Sequence, residues 1–255
     1  MMNISNQRVE EIINFIKGLN LEKKYQKEFT NEKIINLLCI NESLTHSSAN
    51  SEVNYENLEF LGDAVLRLIA SDFIKNKYPY MKVGERSELR SHLVSDQWLE
   101  EVGKKINIQS VLLIGKKALK DKSATATIQA EATEALIGAL YESLTILEPI
   151  KNWLIPFWED KSKEVLDDPH RQNYKSALQE LTQRKGFAIP IYKTTEIDKK
   201  HDNPKRFFCT VYIKNRSIAE GWGKSMKQAE KNAANEALKV FNEKSTRLKN
   251  NKFKK

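Results

Sequence analysis

The sequence predicts a mainly α protein in two parts: an all-helical front half over residues 1–160, then a small α+β unit of order α-β-β-β-α over residues 172–243. Three observations carry this. Apolar residues recur at i, i+3 and i+4 almost without a break from Arg8 to about Trp158. Beyond Gly186 the rhythm changes to two-residue alternation in segments rich in Tyr, Phe, Thr, Val and Ile. The charge also changes sign. Residues 1–171 hold 22 Lys/Arg against 26 Asp/Glu, residues 172–243 hold 14 against 8, and residues 244–255 hold 6 against none.

In order along the front half, EEIINFIKGL (10–19), NEKIINLLCI (31–40), NLEFLGDAVLRLIASDFI (57–74), ELRSHLVSDQWLEEVGKKI (88–106) and ATIQAEATEALIGALYESL (126–144) each show the helical spacing. Gly and Pro punctuate between them, as in YPYMKVGE (78–85). The polar stretch EDKSKEVLDDPHRQ (159–172) contains Pro169 and marks the boundary, with a linker over 161–171. NYKSALQELTQRKG (173–186) is a helix stopped by Gly186. PIYKTTEI, KRFFCTVYI and RSIAEGWG alternate as strands, and KSMKQAEKNAANEALKVF (224–241) is an Ala- and Lys-rich helix. Both helices would pack on one sheet face. The basic run 244–255 is expected to be a disordered tail.

Composition excludes several classes. No run of about 18 apolar residues is present, so no membrane-spanning helix is expected. The first twenty residues lack a basic-then-apolar targeting pattern. Cys39 and Cys209 lie far apart with no metal-ligand spacing, which fits free thiols in a cytoplasmic protein. A net charge of +8 concentrated in the back half suggests that this half meets a polyanion, although a merely solubilising imbalance is common.

The chemistry-bearing residues are acids set into apolar helices. In YENLEFLGDAVLRLIA (55–70), at about 100° per residue, Glu56, Glu59 and Asp63 fall on one narrow stripe with Arg67. Leu58, Leu61, Val65, Leu68 and Ile69 fill much of the opposite side, and Phe60 and Leu66 flank the acids. The segment reads as a mostly buried helix with a row of carboxylates opening into a cleft. Like charges there repel unless something neutralises them, and one Arg cannot balance three acids. IQAEATEALIGALY (128–141) repeats the device with Glu131 and Glu134 at i, i+3. Two such helices crossing would gather the oxygen ligands that a hard divalent cation wants, and the absence of neighbouring His or Cys argues against zinc. Bound Mg²⁺ would suit phosphodiester hydrolysis. A di-iron bundle would supply Glu-x-x-His pairs, which neither helix has. Any one of these Glu residues taken alone is better read as an ordinary solvated side chain. His46 reads as a loop or capping residue.

ENLEFLGDAVL closely resembles the signature of bacterial ribonuclease III, and EATEALIGALY its second acidic helix; LTHSS (44–48), ELRSHLVS (88–95) and the C-terminal α-β-β-β-α unit, which resembles a double-stranded RNA-binding domain, also fit. The likeness spans roughly Ile12 to Phe241, and QNYKSALQELTQ and DPHRQNYK look closest to cyanobacterial members. It implies an endonuclease domain at 1–160 and an endoribonuclease that cuts both strands of an RNA duplex as a homodimer, leaving 5′ phosphates, 3′ hydroxyls and short 3′ overhangs. Precursor ribosomal RNA and some messengers would be substrates. It further implies Glu59, Glu131 and Glu134 as ligands of Mg²⁺ (Mn²⁺ as a substitute), Asp63 and Glu134 as catalytic residues, and Glu56 as substrate-engaging. Neither a small-molecule cofactor nor a membrane is implied. The family usually has Asp where this chain has Glu131. The alternative is a non-catalytic double-stranded RNA-binding protein that kept the fold.

In the back half, Ser176, Gln179, Glu180 and Gln183 form a polar helix face opposite Tyr174, Ala177, Leu178 and Leu181. Such side chains can bond 2′-hydroxyls in the shallow RNA minor groove, though a plain solvated face explains them nearly as well. Lys224, Lys227 and Lys231 crowd the start of the last helix, where cations are unwelcome unless a phosphate is present. The resemblance makes all of these RNA-binding. It also makes Asn203 RNA-binding, in the place where the family has a loop His, with His201 displaced, and puts Met226 where a second Lys is common.

Overall fold

The computed structural model describes residues 4–30, 33–119, 121, 124–168, 173–200 and 203–252, with side chains up to residue 241. Contacts divide the chain into two units, 1–165 and 166–255.

The first unit is helical: α1 (Asn6–Gly18), α2 (Lys23–Gln26), α3 (Ile34–Ser43), α4 (Glu56–Lys77), α5 (Val83–Leu93), α6 (Asp96–Lys105), a 3₁₀ turn (Ile108–Val111), α7 (Lys116–Leu119), α8 (Thr125–Leu144) and α9 (Glu148–Asp167). The α8 helix is apolar nearly all round and therefore central; Ile128, Leu136, Ile137 and Leu140 are buried, and α3, α4 and α6 pack around it. An aromatic cluster anchors α9, with Trp158 stacked on Trp98 (5.9 Å between centroids) and tilted on Phe73 (5.3 Å). The Trp158 indole N–H donates to the Leu93 carbonyl at 3.1 Å, which satisfies its buried polar atom.

The loop before α4 is pinned by a parallel bridge between Thr45 and Leu113, with His46 N–H donating to the Leu113 carbonyl at 2.9 Å. This sets where the acidic helix starts. His46 closes the same loop: its Nδ1 accepts from the Ser48 backbone N–H at 3.0 Å.

Two expectations about ends differ from what the fold shows. The α9 helix runs on to Asp167 through most of the expected linker, because Lys161, Ser162 and Val165 present a buried face and no helix breaker intervenes. Pro169, with residues 170–172, lies outside the described residues. The last helix runs on through Lys252, a stretch with neither Gly nor Pro to stop it, and residues 253–255 of the expected tail lie outside the described residues.

The second unit runs α10 (Tyr174–Arg184), β1 (Ile191–Glu196), β2 (Phe207–Ile213), β3 (Arg216–Gly223) and α11 (Met226–Lys252). The strands form an antiparallel sheet in the order β1-β2-β3, with Tyr192 opposite Val211 and Cys209 opposite Gly221. Alternation sends Cys209, Val211 and Ile213 to one face, where they bury against Leu178, Ala229, Ala233, Ala237 and Leu238 of the two helices. The small residues have a reason. A Cβ on Gly221 would lie 2.2 Å from the Ala233 nitrogen, and one on Gly223 2.4 Å from that of Ala229, so β3 and α11 touch backbone to backbone.

Candidate active site and nucleic-acid interface

The two acidic helices cross at a pair of glycines. A Cβ on Gly62 would lie 2.0 Å from the Glu134 carbonyl oxygen, and one on Gly138 would lie 2.1 Å from the Leu58 carbonyl oxygen. Both distances are impossible for a side-chain atom, so only glycine permits the contact. Gly62 lies between Glu59 and Asp63 on α4, and Gly138 is one turn beyond Glu134 on α8. The crossing therefore sets the two acid pairs within electrostatic reach of one another. The spacing of the acids alone does not pick out these glycines. The signal was available, since glycine inside a helix costs roughly 0.5–1 kcal/mol relative to Ala and needs a packing reason.

Glu59, Asp63, Glu131 and Glu134 are all half-buried, and Glu56 is exposed at the start of α4. Burial pushes the Glu134 carboxyl up to about 8, aided by the charges of Asp63, Glu59 and Asp96 and opposed by Arg67. Burial likewise raises Glu59, with further contributions from Glu131, Glu56 and Asp96. Asp63 receives the Arg67 Nε–H at 2.7 and 2.8 Å on its two oxygens. Glu131 receives the Tyr55 hydroxyl at 2.5 Å. Among the described residues no three His, Cys, Asp or Glu side chains are drawn close enough together to enclose an ion. The donor set is nonetheless all-oxygen and mutually repelling, which suits a hard divalent cation.

Asp96 is the acid that sequence reasoning did not single out. It opens α6 behind the cap Ser95, whose hydroxyl accepts from the Trp98 N–H at 3.3 Å. An acid in the first turn of a helix is commonplace, so nothing in the one-dimensional pattern marks it. The helical-wheel reading also needs correction at two apolar positions. Leu68, expected inside, is 57% exposed, and Phe60 beside the acids is 85% exposed. The neighbours of α4 cover the face that carries Leu58, Gly62, Val65, Leu66, Ile69, Phe73 and Ile74, and the flank carrying Phe60 and Leu68 is left bare.

In the second unit Ser176, Gln179, Glu180 and Gln183 are all exposed on α10, opposite buried Leu178. Lys224 and Lys227 are exposed where α11 begins, and the Ser225 hydroxyl caps that end by accepting from the Gln228 N–H at 3.2 Å. Lys231, one turn further on, is half-buried with its ammonium 5.8 Å from the Tyr174 ring centre. Asn203 stands apart from these groups. Its amide donates to Asp198 at 2.7 Å and its oxygen accepts from the Lys205 N–H at 2.8 Å, so its polar atoms close their own loop. His201 lies outside the described residues.

A helical domain with converging carboxylates, followed by an α-β-β-β-α domain with lysines at a helix N-terminus, defines a nuclease that grips duplex RNA. Comparison with known proteins agrees. Residues 37–147 match the ribonuclease-III-like family model, and residues 174–240 match the double-stranded RNA binding motif. Ribonuclease 3 of Prochlorococcus marinus is 52% identical over 236 residues, covering 92% of this chain and 95% of that protein. Ribonuclease 3 2 of a Nostoc species is 39% identical (77% of this chain, 81% of that protein), and ribonuclease 3 of Borreliella burgdorferi is 32% identical (93% and 94%). The chain belongs to the ribonuclease III family and is an endoribonuclease acting on double-stranded RNA. These relatives do not favour the non-catalytic alternative. The family's nucleases are in general metal-dependent.

Proposed function

We propose that Glu59, Glu131 and Glu134 hold a divalent cation, Mg²⁺ with Mn²⁺ as a substitute, and that cleavage stops when either Asp63 or Glu134 is lost. The crossing at Gly62 and Gly138 carries this reading: it sets acids of two helices against one another with one local cation, Arg67, to offset them. A divalent cation held there would supply an activated water and charge stabilisation for phosphodiester hydrolysis. The chain's own residues prepare the place. Arg67 holds the Asp63 carboxylate, and Glu134 must give up the proton that its surroundings favour before it can act as a ligand.

Products with 5′ phosphates, 3′ hydroxyls and short 3′ overhangs follow if two such sites face one duplex. A homodimer is supported by Phe60 and Leu68, whose bare apolar side chains share α4 with the acids. Ser176, Gln179, Glu180 and Gln183 would meet minor-groove hydroxyls, with Lys224, Lys227 and Lys231 on phosphates and Glu56 engaging RNA at the rim. Precursor ribosomal RNA and messengers are the proposed substrates. The cysteines Cys39 and Cys209 are both free, which supports a cytoplasmic location. Among the described residues no helix is long and apolar enough to cross a membrane. The deciding experiment incubates a labelled RNA hairpin with the protein in Mg²⁺ or in EDTA. Metal-dependent cutting is expected, and equal products in both tubes would refute the metal reading.

A further inference from the structure

Tyr55 immediately precedes α4 and is held from three directions. Its backbone N–H donates to the Thr45 carbonyl at 3.0 Å. Its ring meets His46 edge-on at 5.5 Å. Its hydroxyl donates to Oε2 of Glu131, across on α8, at 2.5 Å. The side chain is 2% exposed, so the ring cannot swing away without vacating a packed site.

Glu131 needs such a partner. Its carboxylate sits at the end of three rotatable bonds, and a glutamate gives up rotamer freedom when it is fixed. The hydroxyl holds one carboxylate oxygen and leaves the other unclaimed, on a group whose charge is felt by Glu59. We propose that Tyr55 is a positioning residue for the metal site: it fixes the Glu131 carboxylate against Glu59 so that the remaining oxygen is ready for a divalent cation before the cation arrives. This rests on Glu131 being a ligand, and the experiment separates the two ideas. Outer groups that orient ligands are typically worth about 10–100-fold in metal affinity.

The test measures Mn²⁺ binding to the full-length, RNA-free protein by electron paramagnetic resonance. Five proteins are compared: wild type, Tyr55→Phe, Glu131→Asp, the double variant and Glu131→Gln. Tyr55→Phe keeps the ring and its packing, so its metal-free unfolding temperature should stay near wild type, while Mn²⁺ affinity falls by about 10–100-fold. In the Glu131→Asp background the shorter carboxylate no longer meets the hydroxyl, so the same change should cost less than about twofold, the coupling that identifies a direct pair. An unchanged affinity in Tyr55→Phe, or an equal loss in both backgrounds, overturns the proposal. If Glu131→Gln weakens binding while Tyr55→Phe does not, the positioning role alone is wrong. If Glu131→Gln also leaves binding unchanged, the ligand assignment beneath it is wrong as well.

Discussion

Gly62 of α4 lies so close to Glu134 of α8 that a methyl group on the glycine would sit 2.0 Å from the glutamate's own carbonyl oxygen. The helix that supplies Glu59 and Asp63 and the helix that supplies Glu131 and Glu134 thus meet at backbone distance. Gly62→Ala, or Gly138→Ala from the other side, should force them apart. A loss of about 1–3 kcal/mol in urea-unfolding stability is expected from the overpacking, with a larger proportional loss of cleavage as the acids separate. Unchanged stability would mean that the helices separate without cost.

Glu134→Ala should lower the cleavage rate by at least about 10³-fold, near 4 kcal/mol at about 1.36 kcal/mol per decade. RNA affinity, measured by gel shift in EDTA, should stay within about threefold, because the exposed polar and basic side chains assigned to binding belong to the other unit. Simultaneous loss of both activities would show that the roles are not divided in this way.

The pH response of the metal-free protein follows from the same residue. Glu134 keeps its proton up to about 8 in the fold, against 4.5 for an ordinary glutamate carboxyl, so the folded state binds more protons than the unfolded chain between those values. Its contribution to stability is present below about pH 4.5 and fades as pH rises through 8. Thermal unfolding of the EDTA-treated protein should therefore show a fall between pH 5.5 and 8.5 that Glu134→Gln removes. Metal affinity should move the opposite way, rising towards pH 8 and then levelling, since the cation must displace that proton.

Phe60→Glu, singly or with Leu68→Glu, should leave the fold intact, since both side chains are exposed. If this flank of α4 joins two copies, light scattering will report half the wild-type mass for the variant. An unchanged mass would move the dimer contact elsewhere.

Lys224→Ala and Lys227→Ala should each weaken duplex binding and reduce the slope of log K against log salt by about one, irrespective of RNA sequence. The exposure of both residues at the start of α11, where a phosphate would also meet free backbone N–H groups, sets this expectation. Asn203→Ala should act differently. Its bonds to Asp198 and Lys205 make it a loop brace, so any loss should appear in local stability before it appears in the salt slope.

The second unit shows how far pattern reading reaches. The segments expected as strands, PIYKTTEI, KRFFCTVYI and RSIAEGWG, occur as Ile191–Glu196, Phe207–Ile213 and Arg216–Gly223. Alternation and turn chemistry are local, and they are written within a few residues of where they act. The flanking helices were legible for the same reason. Their ends were less so: α9 outran its expected stop because buried Lys161 and Val165 hold it against the first unit's core.

By itself, the chain order determined which residues are helical or extended, where charge concentrates, and that carboxylates stand in apolar helices at spacings that share a face. Those properties depend on neighbours three or four residues away. Tertiary structure alone decided that Gly62 and Gly138 let two backbones touch, that Asp96 adds its charge to Glu59 and Glu134, that Tyr55 holds Glu131, and that Leu68 faces outward. Each of these joins groups on different elements, many of them dozens of residues apart in sequence. Helical periodicity specifies a face but not what will cover it, and only packing settles that.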